Sequence, residues 1–210
     1  RPAFSPAFSS CVPGFSGGRP EDKQFQQLLV RWFEWGCFCP VMRLHGDREC
    51  DDRRVFHADG SPALFTGGNN EVWSFGEANE KILTSYIFLR ELMRPYTRKL
   101  MEEAHLYGKP VMRPMFYEFP EQDICWELKE QYMFGPSILV APILYEDQTE
   151  RTVYLPSGYK WTLLSDGTVY EGGQTIHVTA PLEQIPVFIS EDGPDLVEGW
   201  KKIREEQGIC

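Results

Sequence analysis

The side chains best suited to chemistry lie close together between positions 37 and 59. Cys37, Cys39, His45 and Cys50 offer three thiols and an imidazole, which are side chains that bind zinc. Zinc sites usually pair their cysteines as C-x2-C, whereas Cys37 and Cys39 are separated by one residue within a predicted strand. Free cysteine is commonly buried as a small apolar residue. We favour that interpretation and assign no metal ligand.

Carboxylates also cluster in this segment. Paired carboxylates perform acid–base chemistry when they lie about 5–10 Å apart on either side of a bond. Here five of them are interleaved with arginines, which favours a solvated, internally neutralised loop. The acidic residues are Asp47, Glu49, Asp51, Asp52 and Asp59, and the basic ones are Arg48, Arg53 and Arg54. We therefore assign no catalytic residue in this loop.

Arg43 and His45 form a third candidate. They lie at the C-terminal end of a strand predicted over residues 37–44, between Gly36 and Gly46. Ligands of α/β barrels and open α/β sheets bind at the carboxyl ends of the strands. A guanidinium and an imidazole there could hydrogen-bond sugar hydroxyls or a carboxylate. A supporting arginine and a structural histidine explain the same pattern equally well.

The elements that position these residues follow from apolar spacing. A helical stripe predicts one helix over residues 24–36 and a second over residues 77–107. Pro95 predicts a break within the second helix, and Gly108 predicts its end. A short apolar run at 111–116 predicts a further strand. This order of helices and strands is typical of α/β architecture with parallel strands.

The chain changes character after Pro120. Five short β-rich runs separated by Pro-Ser-Gly, Asp-Gly and Gly-Gly turns predict an antiparallel sandwich. These runs are residues 137–144, 152–155, 159–164, 175–178 and 186–189. Residues 195–207 then predict a short amphipathic helix.

Composition and charge support two folded units. The chain has 210 residues, of which 42% are hydrophobic, and no run approaches the ~18 apolar residues of a membrane span. Residues 1–120 hold 15 acidic and 15 basic side chains, whereas residues 121–210 hold 16 and 6 and carry the whole net charge of −10. Nucleic acids and anionic membranes need a positive surface, so the acidic half argues against both as partners. Six sparse cysteines and an N-terminus without a continuous apolar stretch favour a cytoplasmic protein.

Ten segments of the sequence, taken in order, resemble glycoside hydrolase family 31. The resemblance runs from about residue 14 to residue 190, and EVWSFG looks most like the α-xylosidase and α-glucosidase members. The segments are GF at 14–15, RWFEWGCFCP at 31–40, RLHG at 43–46, EVWSFG at 71–76, RPY at 94–96, GKPVMRP at 108–114, QYMFG at 131–135, LVAP at 139–142, VYLPSG at 153–158 and PLEQIPVF at 181–188.

This resemblance implies an α/β plus all-β fold, in which part of a (β/α)8 TIM barrel is followed by an antiparallel β-sandwich. The runs at 37–44 and 111–116 would be the last two strands of the barrel. The expected divisions are an irregular leader at 1–13, the C-terminal part of the barrel at 14–119, the proximal β-sandwich at 120–190 and a tail at 191–210.

The resemblance also implies a retaining α-glycosidase that uses two aspartates and neither metal nor organic cofactor. Its substrate would be an oligosaccharide or α-glycoside with a terminal α-xylosyl or α-glucosyl residue. Phe15 matches the aromatic wall of the −1 sugar site, His45 matches an imidazole that hydrogen-bonds the sugar hydroxyls, and Arg43 fits a supporting position. In the family both aspartates precede the Gly14-Phe15 motif, so we expect the chain alone to be inactive.

One position departs from the family pattern. Cys11 stands where the family has an aspartate that contacts substrate, and residues before Gly14 do not match. Two alternatives to an active glycosidase remain open. The chain could be a non-catalytic fragment that binds carbohydrate or a protein partner, or a truncated product that does not fold alone.

Overall fold

The computed structural model describes residues 9–12, 19–44, 58–60 and 69–209, and for residues 9–12 it describes the backbone alone. The first described elements form a β-α-β unit. Strand β1 is Ser9–Val12, helix α1 is Lys23–Cys37 and strand β2 is Val41–Leu44. The two strands run parallel. Parallel strands need a crossover connection, which α1 supplies here. The helix predicted over residues 24–36 is confirmed, since α1 includes this range.

Strand β2 is shorter than the strand predicted over residues 37–44. Helix α1 continues to Cys37, which is fully buried together with Phe33 on the same side of the helix. The chain then turns before β2 begins at Val41. An apolar run of this length does not distinguish a buried strand from the buried end of a helix, and here the helix extends into it.

The second predicted helix is broken as expected from Pro95. A 3-10 helix, Val72–Phe75, leads into α2, Glu77–Leu92, and α3 follows as Arg94–Tyr107 with Pro95 in its first turn. Gly108 ends α3 in a left-handed conformation, with φ of 67°, which a glycine adopts without steric cost.

The C-terminal unit contains two antiparallel sheets. A six-stranded sheet has the order β3-β4-β5-β10-β7-β8, and β6 pairs with β9 in a second sheet. Two short helices, α4 (Met115–Glu118) and α5 (Ile124–Glu127), follow β3. The strands are β3 (Met112–Pro114), β4 (Tyr132–Phe134), β5 (Ile138–Val140), β6 (Glu150–Leu155), β7 (Lys160–Leu163), β8 (Val169–Glu171), β9 (Gln174–Thr179) and β10 (Val187–Ser190).

Strand β3 does not pair as the sequence predicts. The run at 111–116 was expected to be a parallel barrel strand, but β3 pairs antiparallel with β4, with Met112 opposite Phe134. The ladder continues through a hydrogen bond from the Gly135 amide to the Val111 carbonyl at 2.7 Å. A short apolar run does not specify which strand forms hydrogen bonds with its backbone. In the folded chain β4 is the strand that pairs with β3. The division at residue 120 stays a prediction.

The central strands of the large sheet are buried on both faces. Met133, Leu139 and Phe188 face a core shared with the β6–β9 sheet. Phe134 and Val140 belong to a second core that includes the apolar faces of α1 and α2. This double burial explains why these strands read as continuous apolar runs rather than alternating ones.

The tail forms the predicted helix, which packs against the first unit, the part of the chain from β1 to α3. Helix α6, Val197–Gln207, contacts α2, and the rings of Tyr86 and Trp200 lie 5.2 Å apart. Within the described part of the chain, none of the helices has the length and apolar character needed to cross a membrane.

Candidate functional site

Strands β1 and β2 end at the same edge of their sheet, where Val12 and Leu44 are register partners. Met42 and Leu44 are half-buried against the core, whereas Arg43 is exposed on the opposite face of β2. Helices cover the outer face of a (β/α)8 barrel, and the other face of each strand looks into the barrel. Arg43 therefore lies on the face and near the edge where barrels bind their ligands.

The other two candidate sugar-binding residues, Phe15 and His45, lie outside the described residues. His45 directly follows the last residue of β2, and Phe15 comes three positions after the last residue of β1. Their roles, and that of Arg43, stay predictions. The carboxylates at 47–52 and Cys50 also lie outside the described residues, while Asp59 is described and exposed.

Arg90 holds the backbone that leads into β2. Its guanidinium donates to the carbonyls of Cys37 at 2.8 Å, Cys39 at 2.6 Å and Pro40 at 2.6 Å. The last carbonyls of a helix have no partner within the helix, so Arg90 supplies donors that the C-terminus of α1 lacks. The turn before β2 is thereby fixed from α2.

A residue of the C-terminal unit also holds this turn, since the Tyr132 hydroxyl donates to the Phe38 carbonyl at 3.1 Å. Sequence spacing alone indicated neither Arg90 nor Tyr132. The one available signal was a basic residue in the last turn of α2. The carbonyls that accept from it lie about fifty positions earlier, and no local pattern indicates them.

Cys37 and Cys39 are buried thiols, as their apolar surroundings in the sequence predicted. Cys37 donates to the Tyr86 carbonyl at 3.4 Å, and Cys39 donates to the Trp35 carbonyl at 3.7 Å. Burial raises the pKa of both thiols to about 12, so both are protonated at neutral pH. Among the residues that the structure describes, no group of three or more His, Cys, Asp or Glu could hold a metal ion.

A buried polar cluster joins α1 to the C-terminal unit. Arg31 Nη1 lies 3.2 Å from Glu34 Oε2, and both side chains are almost fully buried. The Arg31 guanidinium also donates to four backbone carbonyls, those of Gln148 at 3.3 Å, Ala180 at 2.7 Å, Pro181 at 3.0 Å and Gln184 at 3.0 Å. The carbonyls lie more than a hundred positions later in the chain, so sequence spacing gave no sign of this cluster.

Glu34 favours its protonated form in this cluster. It is 1% exposed, and burial raises its pKa to about 8 even though Arg31 opposes the shift. Tyr86 Oη lies 3.0 Å from Glu34 Oε1 and 3.3 Å from the Glu183 carbonyl, so its single proton faces two acceptors. A neutral Glu34 resolves this by donating to Tyr86, which then donates to Glu183.

We expect the stabilisation contributed by Glu34 to fall as pH rises. The folded chain keeps a proton that the unfolded chain releases, so the contribution is full below a pKa of 4.5 and is lost as pH rises through about 8. Thermal unfolding of the native chain and of Glu34→Gln between about pH 5 and pH 9 measures this, because glutamine cannot ionise. The Gln variant should gain stability relative to the native chain as pH rises. The opposite trend would show that Glu34 is ionised when folded.

Two family models match the chain on either side of residue 100. The glycosyl hydrolases family 31 TIM-barrel domain matches residues 5–100, and the glycosyl hydrolase family 31 C-terminal domain matches residues 108–193. This chain belongs to glycosyl hydrolase family 31. The family match covers β1, β2 and the antiparallel sheets, and it confirms the expected partial barrel followed by a sandwich. The barrel-domain match begins at residue 5, so the expectation that residues before Gly14 do not match the family was wrong for residues 5–13. Strand β1, Ser9–Val12, lies in this part of the chain, which was expected to be an irregular leader.

The family-31 relatives of the chain include α-xylosidases. α-Xylosidase A of Aspergillus niger is 34% identical over 87% of this chain, and an α-xylosidase of Saccharolobus solfataricus is 33% identical over 88%. The crystal structure of an α-xylosidase from a soil metagenome, complexed with xylose, matches with a TM-score of 0.82 and 48% identity over 90% of this chain and 28% of its own. The chain spans about a quarter of the length of the two curated relatives, 25% and 23%.

Proposed function

We propose that this chain forms the substrate-binding C-terminal part of the barrel of a retaining α-glycosidase. The enzyme would hydrolyse terminal α-xylosyl or α-glucosyl residues of oligosaccharides or simple glycosides. The observation that carries the proposal is the parallel pair of β1 and β2, whose carboxyl ends directly precede the segments containing Phe15 and His45. The names of the α-xylosidase relatives support an α-linked xyloside as the first substrate to test.

Each candidate residue has a distinct task in this proposal. Phe15 presents its aromatic face to the apolar C–H face of the sugar. The aromatic face carries partial negative charge and attracts the partly positive sugar C–H groups. His45 hydrogen-bonds the sugar hydroxyls, because an imidazole both donates and accepts. Arg43 supplies donors from the barrel face of β2. Arg90 acts through the backbone, by fixing the turn from which the strand that precedes His45 begins.

Retention of configuration needs two carboxylates about 5–5.5 Å apart, one as nucleophile and one as acid and then base. In the family pattern that the sequence resembles, both precede the Gly14-Phe15 motif. The proposed contribution of these 210 residues is therefore to bind and orient the sugar, while the bond-breaking pair is supplied by barrel strands before that motif.

The purified 210-residue chain should release no 4-nitrophenol from its α-xyloside or α-glucoside above the rate without protein. The soil-metagenome α-xylosidase, assayed in parallel, is the positive control. Release by this chain that disappears in a His45→Ala variant would contradict the proposal, since it would require a catalytic pair within these residues.

A further inference from the structure

Tyr117 on α4 and Trp126 on α5 are exposed aromatic residues that the proposed barrel site does not use. Trp126 is backed by the half-buried ring of Phe116 on α4. The rings of Phe116 and Trp126 stack, with centroids 4.8 Å apart and planes 11° apart. The indole N–H of Trp126 donates to the Pro120 carbonyl at 3.0 Å. These two contacts fix both the plane of the indole and its rotation within that plane.

The face of Trp126 opposite Phe116 is open. Trp126 is 55% exposed although Phe116 covers one face of its ring, so the exposure belongs to the other face and the ring edges. Tyr117 is 46% exposed, and the Arg113 guanidinium lies 5.5 Å from its ring centroid. Arg113 is itself 5% exposed and paired with Glu118, so a fixed group backs Tyr117 as well.

Fixed aromatic faces of this kind suit the apolar face of a pyranose. Sugar C–H groups carry partial positive charge and pack against the negative face of an aromatic ring. A ring that is already held in place loses little conformational entropy on binding. Glu121, Asp123 and Glu127 are exposed in the same segment and offer acceptors for sugar hydroxyls. Because these groups are acidic, they disfavour an anionic ligand.

We propose that Trp126 and Tyr117 form a surface site for a neutral oligosaccharide, in addition to the site at the end of β1 and β2. The proposal rests on the proposed function only for the choice of a sugar as ligand. The surface site lies on α4 and α5, and its position does not depend on Phe15 or His45.

The test is titration of the full chain with isomaltotriose or maltotetraose, followed through the indole N–H resonances in 1H–15N spectra. The Trp126→Phe and Trp73→Phe variants assign the two resonances. We expect the Trp126 resonance to shift saturably and Trp126→Ala to weaken the affinity roughly tenfold. Trp73→Ala is the matched control, because Trp73 is 65% exposed on the first unit, and it should bind as the native chain does. Trigalacturonate should bind more weakly than either neutral sugar.

Circular dichroism of each variant shows whether it has folded, and Trp126→Phe, which keeps a ring, should bind with intermediate affinity. A Trp126 resonance that stays fixed up to about 50 mM sugar, or an unchanged affinity in Trp126→Ala, would overturn the proposal. So would self-association that Trp126→Ala abolishes without any response to sugar, since the surface would then be a protein contact. The shift should persist in His45→Ala, so this site and the barrel site can fail independently.

Discussion

Replacing Arg31 with methionine is expected to lower the free energy of unfolding by about 3–5 kcal/mol, through the buried acceptors that lose their donor. Methionine occupies similar space but donates nothing, so four backbone carbonyls and the Glu34 carboxyl lose a donor. The bonds to the Ala180 carbonyl and the Glu34 carboxyl are buried, and a buried acceptor that loses its donor costs about 1–3 kcal/mol. The carbonyls of Gln148, Pro181 and Gln184 are part-buried and add less, since Pro181 also keeps the bond from the Gln184 amide. Urea unfolding followed by circular dichroism at pH 7 measures the loss.

Arg94→Met is the matched control for this experiment. Arg94 is 65% exposed and pairs with Glu91 at 2.7 Å on the helix surface. Exposed pairs of this kind contribute about 0.3–0.5 kcal/mol, so the control should unfold almost as the native chain does. Equal losses in the two variants would contradict a structural role for the Arg31 cluster between α1 and the C-terminal unit.

The second large effect is expected from His45→Ala in an active enzyme. The 48% identity and TM-score of 0.82 allow residues 14–209 to replace the matching segment of the soil-metagenome α-xylosidase. In this graft His45→Ala should lower kcat/KM for 4-nitrophenyl α-xyloside by about 100-fold. Hydrogen bonds to sugar hydroxyls strengthen in the transition state, and about 1.4 kcal/mol corresponds to a tenfold change in rate.

His177→Ala provides the control for this substitution. The side chain of His177 is 57% exposed on β9, where it lies 3.7 Å from Glu150, and no sugar contact is assigned to it. The graft carrying His177→Ala should keep its kcat/KM. If the two histidine variants had the same kcat/KM, His45 would not contact the sugar.

The elements that depend on local spacing could be predicted from the sequence. The apolar stripe of α1 specifies one buried side of a helix, and Pro95 cannot donate within a helix interior, so the break between α2 and α3 follows. The turns at Pro-Ser-Gly and Gly-Gly separate β6 from β7 and β8 from β9, as expected. In each case the information lies within a few residues.

The features that depend on distant partners could not be predicted. The run containing β3 does not indicate whether it pairs with a barrel strand or with β4. The Arg31 cluster and the Arg90 contacts each join residues far apart in sequence. The sequence around a charged residue in a helix does not indicate which distant carbonyls will accept its hydrogen bonds. The family resemblance identified Phe15, His45 and Arg43, whereas the residues that support their strands appear only in the folded chain.

The most direct test of the proposed function is the rate at which the graft of residues 14–209 releases 4-nitrophenol from its α-xyloside. The junction at residue 14 retains the strand of the parent enzyme in place of the one that carries Cys11. A graft that unfolds cooperatively should keep kcat/KM within about 100-fold of the parent, a loss that misplacement by about 1 Å can cause. A cooperatively folded graft with no release above background would contradict the assignment of these residues to the substrate-binding edge of the barrel.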